Sequence, residues 1–289
     1  MGCVSMQPAL HTLMFGSYGL DQVAPIAREI GYQGVALMCR LPHLDLEHPE
    51  MSAAKAFHIV RDSGLTVVGL ASGLGRPNSF LGEDGAQELD GVRRAVEAAN
   101  ILEAGLLRLW AGPEGASVAD GEGLAHAASW YADAAEIASA ADVRVTIEVH
   151  SIGFASTAQN TCRLLDAINH PNLGVALDTG NMHASTGVVG STDVQMFGER
   201  LFDVHVKDMR DLSSPEGHTL EVDGRYFVHL PMSEGDVRND DVVVALSEAG
   251  YRGWIANESE CTWDTWERSV VAARHEFAAL QNLIHRSRL

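Results

Sequence analysis

Residues 29–35 read Glu29-Ile30-Gly31-Tyr32-Gln33-Gly34-Val35, and residues 248–254 read Glu248-Ala249-Gly250-Tyr251-Arg252-Gly253-Trp254. Shorter copies of the same junction stand at Asp62-Ser63-Gly64-Leu65 and Glu103-Ala104-Gly105-Leu106. Each has an acid, a small or apolar residue, a glycine, and then an apolar residue that opens a strand-like run. A helix ending on a glycine just past its last turn has this form, because the left-handed conformation needed there costs glycine little. With a strand following at once, the repeated junctions predict repeated βα units.

Working outward, eight short apolar runs predict strands near 11–15, 34–38, 65–71, 106–111, 143–149, 173–178, 202–207 and 253–258. Between them lie segments with helical apolar spacing, such as 126–140 and 240–249. The strands are apolar on both faces, as in a parallel sheet covered by helices. Eight units in this length predict an α/β fold, a (β/α)8 TIM barrel over residues 1–289 as a single domain. An open doubly wound sheet is the alternative, but Phe15-Gly16-Ser17-Tyr18-Gly19 does not supply its G-x-G-x-x-G phosphate loop. Between the seventh and eighth runs, alternation around Asp223-Gly224 predicts a β-hairpin insertion near 219–228. It would stand on the rim where barrels carry out chemistry, as a loop ornament or as a cover for substrate.

The chain of 289 residues carries 20 Lys+Arg against 39 Asp+Glu, a net charge of −19. That balance argues against a nucleic-acid partner, whose phosphates need clustered cations. A hydrophobic share of 46% with 20% charged residues is that of a globular chain with a large core. Cys3, Cys39, Cys162 and Cys261 have no C-x-x-C spacing, so a reducing, cytoplasmic setting is expected. No apolar run is long enough to span a bilayer, and no signal-peptide pattern opens the chain. Met1-Gly2-Cys3 has the look of an acylation start, but Met6 stands where Ser or Thr is expected, so lipidation is set aside. Of the basic residues only Lys55 and Lys207 are lysines.

Barrel chemistry gathers at the C-terminal ends of the strands. The fifth run ends Ile147-Glu148-Val149-His150, the sixth Leu177-Asp178-Thr179-Gly180, the seventh His205-Val206-Lys207-Asp208 and the eighth Asn257-Glu258-Ser259-Glu260. Adjacent strands lie about 4.8 Å apart, so such side chains can converge. Three converging carboxylates repel one another unless a cation sits among them. A set of Glu, Asp, His and Glu suits Mn2+, Mg2+ or Co2+ better than a thiolate-rich zinc site. Period-two alternation puts Lys207 on the face of His205, one layer nearer the mouth, where it meets a substrate oxygen or pairs with Asp203 or Asp208. Glu258 closes its apolar run and is preferred to Glu260 as ligand.

The stretches Thr146–His150, Pro171–Asn181, Val204–Asp208, Glu234–Val237 and Gly253–Glu258 resemble the sugar phosphate isomerase/epimerase family of xylose isomerase-like TIM barrels. The likeness includes its ketose 3-epimerases and its inosose and hydroxypyruvate isomerases. It implies one divalent metal, commonly Mn2+, held by Glu148, Asp178, His205 and Glu258, with Glu148 and Glu258 also moving the substrate proton. The implied activity is isomerisation or epimerisation of a small sugar, keto-sugar or polyol-derived hydroxy-ketone through a metal-stabilised cis-enediolate. The alternative is a metal-dependent lyase, either a dehydratase or a C-glycoside-cleaving subunit with a small partner. Pairing into a homo-oligomer is also expected of the family. Two departures bear on the substrate. Asn181 stands where many members have His, with His183 two further on, and Asp211 replaces an arginine, with Arg210 beside it. Trp110, His150, His183, Arg210 and Lys207 are the expected substrate contacts.

Overall fold

The computed structural model describes residues 6–261 and 263–288, so the Met1-Gly2-Cys3 stretch lies outside the described residues. The strands are β1 (Gln7–His11), β2 (Gly34–Met38), β3 (Thr66–Ala71), β4 (Leu106–Leu109), β5 (Arg144–Glu148), β6 (Leu173–Asp178), β7 (Leu201–Val206), β8 (Asp208–Leu212), β9 (Leu220–Val222), β10 (Arg225–Leu230) and β11 (Trp254–Asn257). Eight of them close a parallel barrel in the order β1-β11-β7-β6-β5-β4-β3-β2. Closure, with β1 paired to both β2 and β11, excludes the open doubly wound sheet. The helices are α1 (Leu20–Ile30), α2 (Pro49–Asp62), α3 (Gly82–Ile101), α4 (Gly121–Ser139), α5 (Ala158–Ile168), α6 (Thr179–Thr186), α7 (Ser191–Phe197), α8 (Asn239–Glu248) and α9 (Trp266–Arg286). No helix among the described residues is long and apolar enough to cross a membrane.

Three of the four junction glycines, Gly31, Gly64 and Gly250, have the positive φ expected of a helix stop, at 125°, 75° and 75°. The fourth differs. Here α3 ends at Ile101, and Glu103 takes the left-handed conformation with φ of 54°, leaving Gly105 to enter β4. The first strand also lies earlier than the run at 11–15 predicts. Thr12–Phe15 form a turn of 3-10 helix, begun by the Leu13 amide donating to His11 Nδ1 at 3.2 Å. Its Met14 and Phe15 are buried all the same, Phe15 packing on Trp266 of α9 with ring centroids 5.4 Å apart. Sequence hydrophobicity reports that burial but not whether a strand or a helical turn delivers it.

The core lies chiefly between barrel and helices, and a smaller layer of Ala9, Ala36 and Ala256 packs within β1, β2 and β11. Alternation along each strand carries this inner face upward, from Ala9 to His11, Thr146 to Glu148, Ala176 to Asp178, Asp203 to His205 and Ala256 to Glu258. After β7 the chain builds an antiparallel sheet in the order β8-β10-β9. Its tip is the Asp223-Gly224 pair, both left-handed at φ of 50° and 75°, as a type I′ turn requires. The third strand, β8, is not apparent in the alternation of the insertion itself.

Candidate metal centre

Glu148 ends β5, Asp178 ends β6, His205 lies near the end of β7 and Glu258 follows β11. One ligand atom from each falls within 4.8 Å of all the others. None of the four is more than 4% exposed. His205 Nδ1 is 2.7 Å from Glu258 Oε2 and 3.4 Å from Glu148 Oε1. Glu148 Oε1, Asp178 Oδ2, His205 Nδ1 and Glu258 Oε2 are all buried without a hydrogen bond. Buried polar atoms without partners cost free energy, and four aimed at one point could together hold a cation.

Other contacts orient these atoms. His205 Nε2 faces Asp203 Oδ2 at 3.1 Å, which turns Nδ1 toward the centre. Asp178 Oδ1 accepts from the Asn181 amide at 2.7 Å and caps α6, leaving Oδ2 to face inward. Asn181, standing where histidine is expected, donates its side-chain amide to the Val149 carbonyl at 3.2 Å.

Charge in the cluster is balanced from outside it. Burial raises the Glu148 carboxyl, but the Arg108 guanidinium and the neighbouring His205 imidazole outweigh it and hold it down at about 2. Burial raises Glu258 too, but His11, Lys207 and His205 pull it well below the carboxylate range. For Asp178 burial wins against Lys207, and its carboxyl is pushed up to about 7. Burial disfavours a charged His205, yet Asp203 and Glu258 raise it well above the ordinary imidazole range. A divalent cation at this point would replace that proton and relieve the carboxylates together.

Lys207 is fully enclosed. Its Nζ is 3.1 Å from Asp178 Oδ2, outside hydrogen-bond geometry, 3.9 Å from Glu258 Oε1, and in close contact with Glu260. Its ion pairs are therefore not with Asp203 or Asp208. Asp203 serves His205, and Asp208 accepts backbone amides of Met209, Ser233, Gly235 and Val237 at 2.9, 2.8, 3.1 and 3.2 Å.

The remaining expected contacts divide. Trp110 and His150 meet at one wall, with ring centroids 4.3 Å apart. His183 reaches the rim sheet instead, with Nε2 2.8 Å from Asp211, which also accepts from Arg225 at 3.1 Å. Arg210 departs from expectation: it is exposed and donates to the Glu234 carbonyl at 2.6 Å, because β8 turns this position outward.

Three residues of the site escaped the sequence reading. His11 ends β1 beneath the cluster, its Nε2 3.9 Å from Glu258 Oε2 and without a partner. The Leu13 amide donates to its Nδ1, so Nε2 carries the proton of the neutral ring, and burial holds its pKa down at about 4. Arg108 lies buried in β4, donating to the Ser72 carbonyl at 2.8 Å and standing 3.6 Å from Glu148. The one available signal was a lone arginine inside Leu106-Leu107-Arg108-Leu109. His229 comes from β10 to within 3.8 Å of Glu260, so the hairpin sheet contributes to the mouth.

A family model described as xylose isomerase-like TIM barrel matches residues 24–283. Among solved structures, L-ribulose 3-epimerase is 17% identical with a TM-score of 0.77, over 98% of this chain and 96% of that one. The IOLI protein with a bound zinc atom is 16% identical with a TM-score of 0.76, over 97% of this chain and 99% of that one. The probable 3-DHS dehydratase AsbF from Bacillus anthracis is 16% identical with a TM-score of 0.75, over 96% and 99%. At these identities the likeness is one of fold. No curated protein matches the sequence.

Proposed function

We propose that this chain, which belongs to the xylose isomerase-like TIM-barrel family, is a divalent-metal-dependent isomerase or epimerase of a small sugar, keto-sugar or polyol-derived hydroxy-ketone. The observation that carries this reading is the set of four buried, unpartnered atoms on Glu148, Asp178, His205 and Glu258. Three carboxylates and one imidazole suit Mn2+, with Mg2+ and Co2+ compatible; zinc is the ion of the IOLI structure. Held by these four residues, such a cation supplies positive charge against the negative charge that builds on a substrate oxygen when the neighbouring carbon is deprotonated.

The chain's own groups divide the remaining work. Nearby cationic groups hold both Glu148 and Glu258 below the ordinary carboxylate range, so either can serve as the base that takes the first proton. They stand on β5 and β11, with β6 and β7 between them, and so flank the centre from two sides. Removal by the carboxylate of one and return from the other in its carboxylic-acid form, protonated from solvent, inverts a carbon; return to the adjacent carbon by the carboxyl that took the proton gives the isomer. Lys207, between Asp178 and Glu260, is placed to donate to a substrate oxygen at the mouth.

Proton exchange tests this reading. Metal-loaded protein incubated with candidate ketoses in D2O is expected to bind one ion per chain and to place deuterium on carbon. Absence of stoichiometric metal overturns it. Recovery of an elimination product instead of an isomer transfers the site to the lyase reading, which needs the same base and cation.

A further inference from the structure

Arg76 follows β3 on the loop beside Trp110, and its guanidinium lies 3.9 Å from the centre of the Trp110 ring. Arg108 approaches the same indole at 5.4 Å, and His150 packs on it at 4.3 Å. Arg93, Arg94, Arg200, Arg268 and Arg274 each pair with a carboxylate. Arg76 is exposed and has neither an ion pair nor a hydrogen bond among the described residues, as is also true of Arg28, Arg40, Arg144 and Arg286; what sets it apart is that its aromatic partner, Trp110, packs on His150, two residues past Glu148. A guanidinium resting on an aromatic ring keeps its in-plane N–H donors free for a planar or tetrahedral oxyanion.

The backbone holds Arg76 in place. The Trp110 amide donates to the Leu74 carbonyl at 2.8 Å, and the Gly112 amide to the Gly75 carbonyl at 2.9 Å. The Tyr131 hydroxyl spans the carbonyls of Gly75 and Trp110 at 2.8 and 2.7 Å. At Gly75, with φ of 95°, an added Cβ would come within 2.5 Å of the Trp110 carbonyl, so only glycine allows the two segments to lie this close. The backbone that carries Arg76 is thus fixed beside Trp110, and its guanidinium rests on the ring that also packs on His150 and Arg108.

We propose that Arg76, laid on Trp110, binds an oxyanion of the substrate, a phosphate or a carboxylate on the carbon chain of a small hydroxy-ketone. The proposal rests on the reading of the site as one for hydroxy-ketones, and it makes the substrate acidic rather than a neutral sugar. The metal half of the mouth takes the carbonyl end, and the Arg76 wall takes the charged end.

Calorimetric titration of the metal-loaded protein with glycerol 3-phosphate, glycerate and glycerol tests it without requiring turnover. At least one of the two anions is expected to bind more tightly than glycerol, and whichever binds better names the group. Arg76→Gln is expected to weaken that anion by about tenfold or more and to leave glycerol unchanged; Arg76→Lys recovers part of the loss. Anion binding no tighter than that of glycerol, or unchanged in Arg76→Gln, overturns the proposal. Deuterium exchange into neutral dihydroxyacetone, measured beside it, reports on the proton-transfer reading alone, so failure of one is distinguishable from failure of the other.

Discussion

The two halves of the barrel mouth carry opposite charge and reach it by different routes. On β5, β6, β7 and β11, side chains at or just past the strand ends converge as Glu148, Asp178, His205 and Glu258, with their free atoms aimed at one another. On the β2–β4 side the cations come mostly from the loops. Arg40 lines a cavity of about 390 Å3 that reaches Glu260 and Trp263, Arg76 lies on Trp110, and only Arg108 is a strand residue. Strand ends fix a side chain through the barrel's own register, which suits a coordination geometry that tolerates little error. Loops tune what the site accepts. A ligand spanning this mouth meets a cation-demanding half and an anion-demanding half.

Breaking the anionic half has the largest expected effect. Glu258→Gln keeps the shape of the side chain but removes a base and a charged donor. Carbon-bound deuterium exchange is expected to fall by roughly 10²–10⁴-fold, with metal content per chain reduced, while the circular dichroism of the barrel is unchanged. Undiminished exchange would show that Glu258 neither moves a proton nor holds the ion.

Cutting the link between the halves comes next. Arg108 stands 3.6 Å from Glu148 and is the first of the opposing groups that hold its carboxyl down at about 2 against burial. Arg108→Met preserves volume but strands a buried carboxylate, a change that costs about 3–5 kcal/mol for pairs of this kind. Urea denaturation of the metal-free protein at neutral pH reads this directly. Adding the divalent ion is expected to restore part of the loss, because the ion supplies a second countercharge. A loss that metal does not reduce would mean that Arg108 acts through the Ser72 carbonyl alone.

The halves also differ in how legible they were in the sequence. Each of the four converging residues on the anionic half ends or follows an apolar run, and period-two alternation then says which neighbours share its face; residues 143–260 therefore disclosed the cluster that the fold brings together. His11 obeys the same rule but was hidden, because Leu13-Met14-Phe15 drew the first strand four residues too late. The 3-10 turn that buries those residues is set by a contact with α9, which lies at the far end of the chain. Arg76 had no local signal at all, since its meaning comes from Trp110, which another strand brings to it. Lys207 is buried beside the four converging groups, but its partners Asp178 and Glu260 follow from other strands, and alternation along β7 offered only Asp203 and Asp208.

The smallest expected effect concerns the rim sheet, where Asp211 pairs with His183 and Arg225. Burial raises its carboxyl, but the hydrogen bonds and charges of His183 and Arg225 together more than reverse this and hold it below the ordinary aspartate range. A folded-state pKa below the unfolded one adds stability above the unfolded value of about 3.9. That stability is lost as pH falls through the folded value. Asp211 is 49% exposed at its side chain, so solvent screens the pair and the contribution is no more than about 1 kcal/mol. Asp211→Asn is thus expected to lower the melting temperature slightly at pH 7, with the difference from the parent protein shrinking toward zero as pH drops below 4. Exchange into neutral dihydroxyacetone should be unaffected, since Asp211 ties α6 to the sheet of β8, β9 and β10 and does not face the four converging atoms. A difference that persists undiminished in acid would mean that Asp211 supports the rim by packing rather than by charge.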